Sequence, residues 1–217
     1  MDDYSIESLR RANAAIESGA FDGEVVPVTI VTRKGETTVE HDEAPGKGNP
    51  DKIPQLRPAF AKDGTITAAT SSSISDGAAA VVLSRESVAK ENGQTPVAKI
   101  VGLAAHAQEP SKFTVAPIGA IEKLLEQTGW SAEDVDLWEV NEAFACVAMF
   151  AMRDIGIPHD KINVNGGGTA LGHPIGASGT RIIVTLLNAL KQQGKKRGIA
   201  SLCIGGGEAT AVAVEMV

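Results

Sequence analysis

The chain has 217 residues, 43% of them hydrophobic and 22% charged, the composition of a globular protein with a real core rather than of a disordered or fibrous one. Its net charge of −7 argues against a nucleic-acid surface, which needs a clustered excess of Lys and Arg. No apolar run reaches the length of a membrane span, Met1 precedes two aspartates rather than a basic leader, and two cysteines are too few for a disulfide framework, so a cytoplasmic chain is expected.

In chain order, "SIESLRRANAAIESG" places Ile6, Leu9, Ala12 and Ile16 at helical spacing and stops at Gly19, predicting a helix. "EVVPVTIVTRKGETTVEHDE" alternates β-branched residues around a turn-like "RKG" and predicts a strand or hairpin. The Pro- and Gly-rich "APGKGNPDKIPQLRP" predicts a long loop. "GTITAATSSSISDGAAAVVLS" predicts a short strand and a second one at Ala79 to Leu83, leading into the helix "RESVAKENG".

After a connector near Gly93 come the strand "VAKIVGLAAHA", a helix from about Ile118 to Thr128, the strand "VDLWEV" and the helix "EAFACVAMFAMRDIG". The strand "KINVN", a glycine-rich loop, the helix "GASGTRIIVTLLNALKQQG" and the strands "RGIASLCIGGG" and "EATAVAVEMV" complete the chain. Strands alternating with helices predict an α/β architecture whose sheet ends in antiparallel strands. The basic run Lys195 to Arg197 reads as a solvated helix end.

The polar candidates fall where a predicted strand gives way to a turn or helix, the place where open α/β sheets build sites. Asn141 and Glu142 follow "DLWEV" in "DLWEVNEAF", His173 follows the glycine-rich "INVNGGGTALG", and Cys203 precedes "IGGG", whose bare N–H groups suit an oxyanion hole. Each also has a bland reading: Asn141 as N-cap of a helix from Glu142, His173 as a buried turn residue, and Cys203 and Cys146 as small buried apolar groups. The glycines beside His173 are expected to clear room for a substrate. A phosphate-cradling reading is weak, because the spacing gives neither G-x-G-x-x-G with a following acid nor GK[ST].

Three blocks, "NEAF" (141–144), "NGGGTALGHPIGASG" (165–179) and "CIGGGEA" (203–209), resemble in sequence and order the C-terminal signature blocks of the thiolases. The likeness continues upstream through "RKGETTVEHDE", "KIPQLRPAFAKDGTITA" and "SDGAAAVVL" and covers essentially the whole chain, looking most like the acetyl-CoA acetyltransferases and 3-ketoacyl-CoA thiolases. It implies a thiolase-like α/β fold: the latter part of the loop domain in 1–64, the last elements of the N-terminal domain in 65–93, and a complete C-terminal α/β domain in 94–217.

The resemblance also implies reversible Claisen chemistry on a coenzyme A thioester, with no metal or other cofactor. His173 would activate a cysteine nucleophile and, with a water held by Asn141, stabilise the thioester enolate oxygen. Cys203 would be the acid/base at the α-carbon, and the Gly205 N–H would form part of a second oxyanion hole. Ser72, Phe60, Ala143 and Phe144 match pantetheine-contacting positions, and Phe113 one that shapes the acyl pocket.

Two departures stand out. Ala209 occupies a position where many members have glycine, and the block that carries the family's nucleophilic cysteine is not matched by Cys146, by Cys203 or by any other residue. A second polypeptide carrying that N-terminal half, in a homo- or hetero-oligomer, is the expectation, with a non-catalytic assembly subunit or a fragment of a longer thiolase as alternatives.

Overall fold

Asp2 and Asp3 lie in the first turn of α1 (Asp2–Glu17), where acidic side chains complement the positive end of the helix dipole. The computed structural model describes all residues from Met1 to Val217. β1 (Val28–Thr32) and β2 (Gly35–Val39) form an antiparallel hairpin, and the tight turn uses Gly35 at φ 128°, a conformation that disfavours a side chain. The expected loop carries two short 3-10 turns, Pro45–Lys47 and Pro50–Gln55, and α2 (Glu86–Glu91) follows.

Residues 64–84 depart from expectation. Neither the short strand nor the one at Ala79 to Leu83 forms; the segment makes only single bridges, Ser71 to Phe144 and Ile74 to His173. A strand needs a neighbour for its N–H and C=O groups, and none lies here: Val82 is 96% exposed and Leu83 72%.

The remaining elements build the body of the fold. In chain order they are β3 (Ala98–Ala107), α3 (Ala116–Thr128), β4 (Leu137–Val140), α4 (Ala145–Ile155), the one-turn α5 (Gly168–Leu171), α6 (Ser178–Gln192), β5 (Arg197–Ile204) and β6 (Glu208–Met216). The sheet order is β3-β6-β5-β4, with β4 and β5 parallel and the other pairs antiparallel, matching the expected α/β class with antiparallel strands at its end.

Side-chain alternation sorts the core into two layers. Trp138, Val140, Ile199, Cys203, Ala209, Ala211 and Ala213 face Ile121 and Leu124 of α3 and Ala148 and Ala151 of α4. Leu137, Ala200, Val212 and Val214 face Ile182, Leu186 and Leu190 of α6. Gly129 and Gly156, both left-handed, terminate α3 and α4.

The expected strand "KINVN" is also absent. Asn163, at φ 46°, turns its side chain onto the edge of β4, where Oδ1 accepts from Val140 N–H at 2.9 Å and Nδ2 donates to Val140 C=O at 2.8 Å. One amide side chain thus takes over the bonds that a fifth strand would have made, leaving only a single bridge between Trp138 and Ile162.

Glu142 fastens these parts together. Its fully buried carboxylate accepts hydrogen bonds from Tyr4 Oη (2.8 Å) and Ser8 Oγ (2.8 Å) of α1, from Asn163 Nδ2 (2.9 Å), and from the Thr169 hydroxyl (2.7 Å) and N–H (3.1 Å) on α5. Glu142→Ala strips an acceptor from every one of these buried donors and is expected to cost about 3 kcal/mol or more. Urea unfolding of the variant checks this, and Glu142→Gln, which keeps one acceptor oxygen, should lose less.

Candidate active site

β4 ends at Val140, and Asn141 extends the ladder by one bond, its N–H donating to Ser201 C=O at 2.9 Å. The side chain is almost fully buried and does not cap a helix. α4 starts only at Ala145, with Phe144 at its N-cap, because Ala143 and Ala145 are tied to the 64–84 segment: Ser72 N–H and Oγ both donate to Ala143 C=O at 3.0 Å, and Ala145 N–H donates to Thr70 C=O at 2.9 Å. Asn141 instead aims Nδ2 at His173 Nε2, 3.3 Å away.

His173 follows α5 rather than a strand, so only Asn141 and Cys203 sit at true strand ends. Its N–H donates to Ser73 C=O at 3.0 Å, and its Nδ1 lies 2.6 Å from Ser178 Oγ, in the first turn of α6. The one hydroxyl proton of Ser178 goes to Pro174 C=O at 3.1 Å. With the hydroxyl proton on that carbonyl, Ser178 accepts from Nδ1–H, and the Nε2 lone pair faces the Asn141 amide, whose Nδ2 is placed to donate to it. Burial, and after it the charge of Arg181, push the His173 pKa below its ordinary value, so the ring is neutral near pH 7.

Cys203 is the next-to-last residue of β5, paired with Ala209 of β6. Burial pushes its thiol up to about 11, with a small contribution from Cys146. The group is a protonated thiol at neutral pH, and half-buried Cys146 on α4 is likewise shifted upward by burial. Gly205 lies on the turn between β5 and β6, with open space where a Cβ would be, and its N–H has no backbone partner. The alanine at 209 is fully buried in the core cluster that contains Cys203.

The remaining candidates gather on the same side. Phe144 makes edge contacts with Phe60 (6.2 Å between centroids) and Phe113 (6.1 Å), and Ala143, Phe144 and Phe113 pack against the core cluster that holds Cys203. Phe60 is 76% exposed.

The glycines do something other than expected. A Cβ on Gly167 would run into the Glu142 carboxyl, and one on Gly172, at φ 95°, into Ser75 Oγ. These glycines let the loop close on its own chain, against Glu142 and Ser75, rather than opening a channel for substrate. The supports Ser178, Tyr4, Ser8 and Asn163 escaped sequence reasoning, and Glu142, named there as a candidate beside Asn141, was not read as a support. Only Ser178 carried a local signal, five residues after His173 at the start of a helix.

Comparison with known proteins supplies the context. Residues 1–87 match the family model described as thiolase, N-terminal domain, and residues 94–216 that described as thiolase, C-terminal domain. The chain belongs to the thiolase family. It is similar to an acetyl-CoA acetyltransferase of Yarrowia lipolytica, 50% identical over 216 residues, covering 100% of this chain and 54% of the relative. It is 46% identical to a cytosolic acetyl-CoA acetyltransferase of Mus musculus, over 99% of this chain and 55% of the relative.

Among solved structures, the Bacillus anthracis acetyl-CoA acetyltransferase superposes with a TM-score of 0.97 at 44% identity, and human mitochondrial 3-ketoacyl-CoA thiolase in complex with CoA with a TM-score of 0.90 at 38% identity. Both cover 100% of this chain, which in turn covers 55% and 54% of them. The chain thus spans about half the length of the thiolases it matches.

Two measurements read this geometry directly. Alkylation of Cys203 at about pH 8 should run about 100-fold slower than that of an unperturbed thiol, the thiolate deficit that follows from a pKa near 11 rather than 9, followed by peptide mapping. Nitrogen-15 spectra should show His173 as the Nδ1–H tautomer, and Ser178→Ala should shift the population toward Nε2–H.

Proposed function

We propose that the chain contributes the histidine, cysteine and asparagine of a thiolase active site, catalysing reversible cleavage of acetoacetyl-CoA or another 3-ketoacyl-CoA, and that the nucleophilic cysteine comes from an N-terminal half outside these 217 residues. The observation that carries this is a neutral base and a neutral acid joined through adjacent strand ends: His173 Nε2 lies beside Asn141, whose N–H bonds Ser201 C=O two residues before the protonated Cys203.

In the cleavage direction the nucleophilic thiol passes its proton to His173 Nε2 and the thiolate adds to the ketone carbon. Loss of the carbon–carbon bond leaves an acyl-thioester and an acetyl-CoA enolate. The enolate oxygen lies against His173 and a water held by Asn141, and Cys203 delivers its proton to the enolate carbon. Coenzyme A thiol, giving its proton back to Cys203, then displaces the acyl group, the Gly205 N–H helping to hold the tetrahedral oxygen and the released nucleophile thiolate taking its proton back from His173. Phe60, Ser72, Ala143 and Phe144 would line the path of the pantetheine arm and Phe113 the acyl end.

The exposed apolar edge supports a missing half. Phe60, Ile74, Val82 and Leu83 are all more than two-thirds exposed along one segment, an arrangement that water-soluble surfaces rarely leave uncovered. Homo- or hetero-oligomeric assembly would cover it. A reducing compartment such as the cytoplasm suits the two free thiols.

Paired with an N-terminal thiolase half, His173→Ala and Cys203→Ser should each cut acetoacetyl-CoA cleavage by about 100-fold or more, while near-normal turnover in either variant would refute the assignment. The native mass of the purified complex reports whether the half with the nucleophile is joined to this chain or arrives as a separate polypeptide. A soluble, homogeneous monomer of this chain alone counts against a missing half.

A further inference from the structure

Beneath His173 lies a second layer of buried polar groups that the proposed chemistry leaves unused. Residues two apart on an extended chain share a face, so Glu139 on β4 lies on the same side as Asn141. Residues three apart on a helix are neighbours, so Arg181 stands one turn along α6 from Ser178. The two meet, with Arg181 Nη1 3.6 Å from Glu139 Oε2. A turn further, Thr185 donates to Glu24 Oε1 at 2.8 Å. β4 and α6 therefore face each other across a polar column whose top rung is Asn141, His173 and Ser178 and whose next rung is Glu139 and Arg181.

The second rung is not a balanced ion pair. Glu139 is 2% exposed, and burial drives its carboxyl up to about 8 against the pull of Arg181, with Glu142 and Glu24 pushing the same way. Near neutral pH it is mostly protonated. Glu24, a half-buried carboxyl that also feels Arg181, is likewise shifted upward by burial, whereas Asp42 is exposed. Arg181 Nη1 is itself buried without a hydrogen-bond acceptor. The guanidinium is 21% exposed, and its buried Nη1 has only the mostly protonated Glu139 carboxyl beside it at 3.6 Å.

Resting on the reading of His173 as a base, we propose that Arg181, seated on Glu139, is a positioning residue whose charge adds to burial in disfavouring a protonated His173 and which holds the α6 turn whose Ser178 faces Nδ1. A neighbouring cation disfavours imidazolium, so removing it makes the ring easier to protonate. The charged groups around this column are Arg181 from α6, Glu139 and Glu142 from β4 and the residues after it, and Glu24 and the exposed Asp42 from the segment between α1 and the 3-10 turns. Arg181 is the one whose charge is felt at the ring.

The test is an NMR titration of the full chain labelled in histidine, with His173 assigned through His173→Asn. Arg181→Met should raise the His173 midpoint by roughly half a pH unit or more. The double variant E139Q/R181M should do the same, and because it removes both partners it leaves no buried charge stranded if the single variant fails to fold. Arg181→Lys should keep the midpoint in place, and so should Glu139→Gln, which mimics the protonated carboxyl.

A midpoint unmoved in the double variant, or moved as far by Arg181→Lys, overturns the proposal, as does a lowered midpoint in Glu139→Gln. Because the titration reads the ring and not turnover, it also separates the two readings. If His173→Ala leaves cleavage in the completed enzyme intact, the base role falls while the titration still reports on Arg181.

Discussion

A carboxylate buried without solvent is tolerable only if hydrogen bonds replace its water, and Glu142 meets that condition with five donors drawn from three distant parts of the chain. The consequence is geometric. Glu142 is bonded in sequence to Asn141 and Ala143, so pinning its side chain fixes the backbone that aims Asn141 at His173 and presents Ala143 to Ser72. Its other donors fix α5, two residues before His173. Ser8 extends the set by accepting Gly167 N–H at 3.0 Å while donating to Glu142, so α1 is locked onto the glycine-rich loop.

Burial then tunes the site with one effect of opposite sign on its two central groups. Desolvation penalises whichever form is charged, imidazolium for His173 and thiolate for Cys203. It pushes the histidine down and the cysteine up, leaving a lone pair on one and a proton on the other at the same pH. Burial sets the direction of both shifts, and the charge of Arg181 adds to the one on His173. The hydrogen bond to Ser178 adds what burial cannot, the choice of which ring nitrogen holds the proton.

The sequence made legible what depends on local periodicity and short motifs. α1, α3 and α6 declare themselves by apolar spacing and by their glycine stops, and the β1–β2 hairpin by alternation around its turn. Asn141, His173 and Cys203 stand out because unusual residues meet turn residues. The misses share a different cause, since each depends on a partner far away in the chain. Ala79 to Leu83 has the composition of a strand but no neighbour to pair with. "KINVN" has the composition too, but the Asn163 side chain occupies the edge that it would have joined. The role of Glu142 was equally hidden, because Tyr4 lies 138 positions away in sequence.

α6 explains why these supports sit on a helix and not on a loop. Ile182, Leu186, Ala189 and Leu190 bury one stripe against the sheet, and that stripe holds the helix rigidly in place. Ser178, Arg181 and Thr185 repeat at spacings of three and four along the edge of the same stripe, so each inherits that rigidity. A hydroxyl on a loop would not hold His173 Nδ1 in one tautomer against thermal motion; one in the first turn of a helix packed by leucines does. Apolar packing on one edge of α6 is therefore the physical reason that the polar edge can be used for positioning.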